Sequence, residues 1–154
     1  MKISVVVVGR AGSLGSAIRE YEARAARYWR LEVVEVRQGR GSVADDVMRR
    51  EAGNIRARLR RGFDRVAVTR EGRRFSSAEL ARWLEGVART PAKGVHFLVG
   101  GAFGLDPDLK EECGLRLSLS SFTLPHDFAR LVLAEQLYRA GTILGNQPYH
   151  KGSR

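Results

Sequence analysis

Short β-branched runs alternate with segments of helical period along the whole chain, and the first of these runs constrains the fold most. Residues 3–8 read ISVVVV. Both sides of that run are apolar, which suits a strand covered on both faces of a sheet. Residues 31–36 (LEVVEV), 65–69, 95–99 and 115–119 repeat the strand pattern. Between and after them lie helical stretches at about 14–29 (Leu14, Ile18, Tyr21, Ala25 and Tyr28 in period), 43–61, one opening at Ser76 and including Leu80, Trp83, Leu84 and Val87, 107–113 and 127–141. Ser42 with Asp45 resembles a capping box for the second of these, and Ser76 with Glu79 is a full S-x-x-E box for the third. Asp106-Pro107 fits an N-cap followed by proline at the first helical position. Five strands alternating with helices predict an α/β fold, a mainly parallel sheet with helices on both faces. With no repeat, linker or low-complexity segment, residues 1–154 read as a single domain.

Charge is distributed unevenly along that framework. The net charge is +10, with 18 basic and 9 acidic side chains in residues 1–77 against 9 and 8 in residues 78–154. Codon bias explains why 23 of the 27 cations are Arg, but not why cations exceed anions. A polyanionic partner does explain it, because Lys and Arg facing phosphates release condensed counterions. Arg24, Arg27 and Arg30, then Arg49, Arg50, Arg56, Arg58, Arg60 and Arg61, are candidates for that surface, set against a plain solvated helix face with partners such as Glu20–Arg24. No apolar run is long enough for a membrane span, no secretory pattern opens the chain, and the single Cys113 excludes an internal disulfide or a thiol-rich zinc site. A cytoplasmic protein without a metal is expected.

Gly9, Gly12 and Gly15 follow the first strand, where a dinucleotide fingerprint would sit. Their spacing is G-x-x-G-x-x-G rather than G-x-G-x-x-G, so a flexible strand-to-helix loop beside Arg10 is the preferred reading. The second half is more specific. Gly100-Gly101-x-x-Gly104 follows the fourth strand, where backbone can approach a ligand closely or simply form a tight turn. Residues 119–124 (LSSFTL) mix apolar side chains with hydroxyls ahead of Pro125. Such a loop can sandwich a purine ring, or merely join strand to helix. The last helix is apolar almost all round, from Phe128 to Ala140. In so small a domain that composition predicts a homodimer in which two such helices touch.

Four ordered motifs carry a family resemblance: residues 95–104 (VHFLVGGAFG), 117–126 (LSLSSFTLPH), 131–140 (LVLAEQLYRA) and 146–150 (NQPYH). Together they resemble the RlmH family, SPOUT-class methyltransferases acting on N3 of a pseudouridine in large-subunit ribosomal RNA. The resemblance implies an α/β knot, with a C-terminal segment threaded through a loop to form a cleft for S-adenosylmethionine. By motif, the donor site would comprise Gly100, Leu119, Ser120, Ser121, Phe122, Thr123 and Leu124, and Arg70 at the end of the third strand. Residues 69–72 are shorter than the family pattern, and Ala102-Phe103 replaces its usual proline-containing pair.

Methyl transfer needs the donor carbon in line with the nucleophile, and the imide nitrogen reacts best as its proton leaves. Tyr149 and His150 in the tail, of this copy or of a second subunit, are candidates to position or deprotonate the uracil. Arg139 and Arg130 are candidates to steady phosphates or a developing anion. His126 is either catalytic or a helix-capping residue, and His96 a packed strand residue. The substrate implied is ribosomal RNA in the assembled ribosome. Two other readings stand beside it: a non-enzymatic ribosome-binding factor on a degenerate scaffold, and a nucleotide-binding protein using the Gly9 loop.

Overall fold

The apolar run at the start of the chain becomes strand β1 (Lys2–Val8), hydrogen-bonded on both sides within a five-stranded sheet. The computed structural model describes residues 1–151, His150 by its main chain alone. The remaining strands are β2 (Arg30–Val36), β3 (Phe63–Arg74), β4 (Gly94–Val99) and β5 (Leu115–Ser118), in the order β2-β1-β4-β3-β5. Every pairing is parallel. All strand C-terminal ends therefore lie along one edge of the sheet.

Alternation of side chains assigns each face its helices. Ile3, Val5, Val7, Val95, Phe97 and Val99 point to one face, covered by helices α1 (Gly15–Ala25), α3 (Ser77–Ala88) and α5 (His126–Leu144). Val6, Val8 and Leu98 point to the other, under α2 (Ala44–Arg56) and α4 (Pro107–Glu111). All six residues of β4 are buried, which is why its sequence shows no polar alternation.

Several expected boundaries move, each for a local reason. The first helix ends at Ala25, not 29, because Arg27 and Tyr28 donate to carbonyls three residues back. The second runs 44–56 rather than 43–61, and Ser42 forms no capping box: the N-cap is extended Val43, without a side-chain cap. The Ser76–Glu79 box forms reciprocally, and Asp106 caps α4. The third strand is longer than residues 65–69. Leu117 of β5 pairs with both Val68 and Arg73, so the intervening residues bulge out before β3 resumes. The tail closes in a single 3-10 turn (Pro148–His150).

The last helix is apolar all round for a reason within the chain. It lies between α1 and α3, with Leu133, Leu137 and Ala140 in the core. On its α1 side, Tyr28 occupies the space where a Cβ on Gly141 would stand. Trp29 Nε1 donates to the Leu137 carbonyl (2.8 Å). Arg130 is 7% exposed and bridges Glu22 of α1 (2.7 Å) and Glu35 of β2 (2.8 Å). Phe128 and Leu144 remain exposed on the same helix.

His96 is fully buried, as its place in the strand suggested. Its Nε2 accepts the Arg60 N–H (2.9 Å), and its ring lies 4.7 Å from that of Phe63. Burial, reinforced by Arg60 and Arg65, lowers its pKa to about 4. As pH falls, the unfolded chain takes up this proton near pH 6.5, well before the folded one does. Stability attributable to His96 should therefore fall between about pH 6.5 and 4, by up to about 3 kcal/mol. Thermal unfolding of His96→Leu should show a lower Tm at neutral pH, where the Arg60 N–H has lost its acceptor, and a flatter decline on acidification. An acid limb as steep as that of the wild type would contradict this assignment.

Candidate functional site

Three loops at the C-terminal edge of the sheet close on a cleft of about 280 Å³. One is the bulge of β3, which presents Thr69, Arg70 and Glu71, with the Thr69 hydroxyl hydrogen-bonded to the Glu71 carboxylate. That bond is the main cause holding the Glu71 carboxyl below its ordinary pKa. Arg70, expected at the end of the strand, therefore stands on a bulge within a longer strand and still lines the cleft.

The second loop is the glycine turn after β4. Gly104 N–H donates to the Gly101 carbonyl (3.0 Å), folding the turn back onto Gly100. A Cβ on Gly100 would lie 2.6 Å from the Gly104 carbonyl carbon and 2.8 Å from the Leu105 nitrogen. A tight turn alone accounts for Gly104, whose φ is +82°. Gly100 is required because the chain returns against it.

The third loop is 119–124. Ser118 Oγ donates to the Ser120 carbonyl (2.9 Å), and Ser120 Oγ accepts the Phe122 N–H (2.9 Å), so the hydroxyls shape the loop themselves. Among the described residues, the N–H groups of Thr123 and Leu124 donate to no protein acceptor. Leu119, Ser120, Phe122, Thr123 and Leu124 line the cleft; Ser121 is exposed and does not. The Phe122 ring is 82% exposed at the lip.

Helix α5 enters the cleft with His126 and Ala129. His126 does not cap the helix: the N-cap is Pro125, with no side-chain cap. Its Nε2 lies 2.9 Å from Asp127 Oδ1 without hydrogen-bond alignment, so that oxygen is buried and unpartnered. Arg139 and Tyr149 lie elsewhere, on the C-terminal half of α5 and the turn packed against it. The Arg139 guanidinium pairs with Glu135 (2.6 Å) and stacks 5.0 Å from the Tyr149 ring. Tyr149 Oη donates to Glu135 Oε1 (3.0 Å). Burial, followed by the Glu135 carboxylate, pushes the phenol's pKa far above neutrality, so Tyr149 is a hydrogen-bonding group rather than a base. The side chain of His150 lies outside the described residues. Arg130 is engaged by Glu22 and Glu35 and does not reach the cleft.

Two carboxylates escaped the sequence reading. Besides Asp127, Glu51 is buried beneath the glycine turn. Its Oε2 accepts the Gly39 N–H (3.0 Å), and Oε1 has no partner among the described residues. Burial pushes its carboxyl pKa up. A Cβ on Gly101 would approach both of its oxygens to 3.0 Å. The signal was present in the sequence: Glu51 stands four residues from Val47 and from Ile55, inside the apolar stripe of α2.

A family model described as a predicted SPOUT methyltransferase matches residues 1–150. Ribosomal RNA large subunit methyltransferase H of Gemmatimonas aurantiaca is 48% identical over 155 residues, covering 98% of this chain and 100% of that protein. Its namesakes from Burkholderia cenocepacia (99% covered) and Acetivibrio thermocellus (100% covered) are 40% and 36% identical, each across 98% of this chain. The chain belongs to the RlmH family of SPOUT methyltransferases. The all-parallel sheet with helices on both faces is the architecture the α/β knot was expected to show.

Two solved structures share that fold. A probable methylase family protein from Haemophilus influenzae aligns with a TM-score of 0.52 at 18% identity, covering 96% of this chain and 69% of its own. A putative Legionella pneumophila methyltransferase in complex with S-adenosylmethionine aligns with a TM-score of 0.53 at 13% identity, covering 91% and 66%.

In this SPOUT methyltransferase Gly100→Ala tests the turn directly. The added methyl forces the turn away from β4, and overpacking of this kind costs about 1–3 kcal/mol. Calorimetry with S-adenosylmethionine should show at least about a tenfold loss of affinity. Unchanged affinity would remove the turn from the donor site.

Proposed function

We propose that this chain is an S-adenosylmethionine-dependent methyltransferase acting on N3 of a pseudouridine in large-subunit (23S) ribosomal RNA, on the assembled ribosome in the cytoplasm. The observation that carries the proposal is full-length similarity to proteins named for that RNA, in a chain whose glycine-turn and 117–126 motifs converge on one cleft.

The residues present suit the methyl donor. The cleft is close to the lower end, about 300 Å³, of ordinary ligand sites. Gly100 provides a backbone surface that any side chain would fill. Leu119, Phe122 and Leu124 offer apolar contact, while the N–H groups of Thr123 and Leu124 are available to acceptors on an adenine edge. Bound there, S-adenosylmethionine supplies a methyl carbon made electrophilic by the neighbouring sulfonium. The chain's own task is to exclude water, fix the uracil in line and take up the N3 proton.

Of the groups proposed for that task, His126 lines the cleft, whereas Arg139 and Tyr149 gather around Glu135 further along α5. Thirteen positions along α5 separate His126 from Arg139, about 20 Å of helix. We therefore assign the working unit to a homodimer in which Tyr149, His150 and Arg139 of one copy serve the cleft of the other. In this arrangement Tyr149, held protonated by Glu135, positions the base. His150 is the candidate proton acceptor, having the only side-chain type in the tail that titrates near neutrality.

Mass spectrometry of ribosomal RNA from a strain lacking this gene should show the loss of one methyl on a pseudouridine. His150→Ala should lower turnover on undermethylated ribosomes at saturating donor by about a hundredfold, with donor affinity unchanged. Wild-type turnover would remove the tail histidine from the reaction. If the purified protein bound no donor, even with ribosomes present, and the RNA mass were unchanged, the non-enzymatic ribosome-binding reading would stand instead.

A further inference from the structure

Beside the donor cleft lies a second, larger basin of about 900 Å³, at the C-terminal ends of β1 and β2. Its walls are the 9–12 loop, the 37–40 loop and the first turn of α5. His126 lines both depressions and joins them. Because β1 pairs with β4, the two sites are neighbours along one sheet edge, roughly 10–15 Å apart at about 4.8 Å per strand. The glycine motif that the sequence left unassigned supplies one wall. Gly9 N–H donates to the Val36 carbonyl (2.9 Å), tying the two loops together, and Gly12 N–H donates to Asp127 Oδ2 (3.1 Å).

The basin gathers three arginines around one depression at the C-terminal edge of the sheet. Arg24, Arg49, Arg56, Arg60, Arg89 and Arg116 are all held in ion pairs within the chain. The arginines lining the basin, Arg10, Arg37 and Arg40, are exposed and have no ion-pair partner among the described residues. Two carboxylates share the basin, and each accepts a hydrogen bond from the chain. Glu35 holds Arg130 (2.8 Å) and the Ala11 N–H (3.0 Å), a pairing that keeps its carboxyl below the usual range. Asp127 holds the Gly12 N–H. What remains facing solvent is a positive rim one strand away from the methyl-donor loops. By contrast Arg30, Arg58, Arg60 and Arg61 lie by the N-terminal ends of the strands, at the opposite end of the sheet.

We propose that this basin is a phosphodiester-binding subsite, in which Arg10, Arg37 and Arg40 grip the RNA strand flanking the nucleotide held in the donor cleft. The assignment rests on the ribosomal RNA reading above. An RNA backbone fits the rim better than a protein partner does: three exposed arginines outnumber the two carboxylates of the lining, and no exposed large apolar side chain is there to anchor a protein.

The test compares the triple variant Arg10→Ala/Arg37→Ala/Arg40→Ala with wild type, by co-sedimentation with ribosomes from a strain lacking the gene, between about 50 and 200 mM salt. Binding at the upper salt should weaken by about tenfold or more. The slope of log affinity against log salt should shrink by about 2, the share of three single-strand phosphate contacts. Donor affinity by calorimetry should stay within about twofold. Arg58→Ala/Arg61→Ala, which removes charge at the far end of the sheet, should leave both binding and slope unchanged. Arg37→Glu alone, an exposed substitution that spares the core, should reproduce the direction of the effect.

The proposal is overturned if the triple variant binds ribosomes like wild type, or if the far-end pair weakens binding as much. Co-sedimentation does not depend on turnover. Wild-type protein that binds ribosomes through this rim yet transfers no methyl group would refute the proposed reaction and leave the subsite standing.

Discussion

Burial of β1 and β4 on both faces is the constraint from which the rest of the molecule follows. Once helices cover the two sides of the sheet, nothing polar can reach solvent from the middle of a strand. Every group with chemistry is forced to the strand ends or the helix termini. The one polar side chain within β4, His96, is neutral and hydrogen-bonded, as that environment demands. The C-terminal edge then collects the β3 bulge, the glycine turn, the 119–124 loop and the two loops around the basin. The N-terminus of α5 is locked to the same edge from below, through Arg130 to Glu22 and Glu35.

What was legible in the sequence was whatever a local rule controls. The strands of the buried sheet announced themselves because continuous Val and Ile runs have few other uses. The Ser76–Glu79 box formed because its two side chains need only their own backbone. The similar Ser42–Asp45 pair failed, since the chain enters α2 through Val43 in extended conformation and leaves Ser42 outside the helix. The β3 bulge was invisible, because its register depends on β5, more than forty residues away. The residues that the motif suggested for the methyl donor line one cleft, except Ser121, whose turn is set by neighbouring hydroxyls. Glu51 and Asp127 were overlooked because their partners, Gly39 and Gly12, lie in loops without periodicity.

Charge shows the same limit. A net +10 confined to the first half of the sequence pointed to a polyanion, but a count does not say which cations are free. Folding pairs Arg24, Arg60, Arg49 and Arg56 with Glu20, Glu32, Asp46 and Glu112 respectively. Such surface pairs contribute little stability, about 0–1 kcal/mol each, yet they remove cations from the field seen by a ligand. The arginines left unpaired beside the cleft sit on loops whose sequence gave no helical face to read. Position, rather than number, distinguishes them.

Helix α5 is also a ruler. Nineteen residues of helix span about 28 Å and do not shorten, so the cleft at one end never meets the Glu135–Arg139–Tyr149 cluster of its own chain. In the proposed pair each working site is therefore assembled from two separate translation products. A chain damaged at its cleft still carries a sound tail, and a chain damaged at its tail still carries a sound cleft. Two defective alleles in one cell would rebuild one intact site in each mixed pair, making the heritable unit of activity the couple rather than the chain.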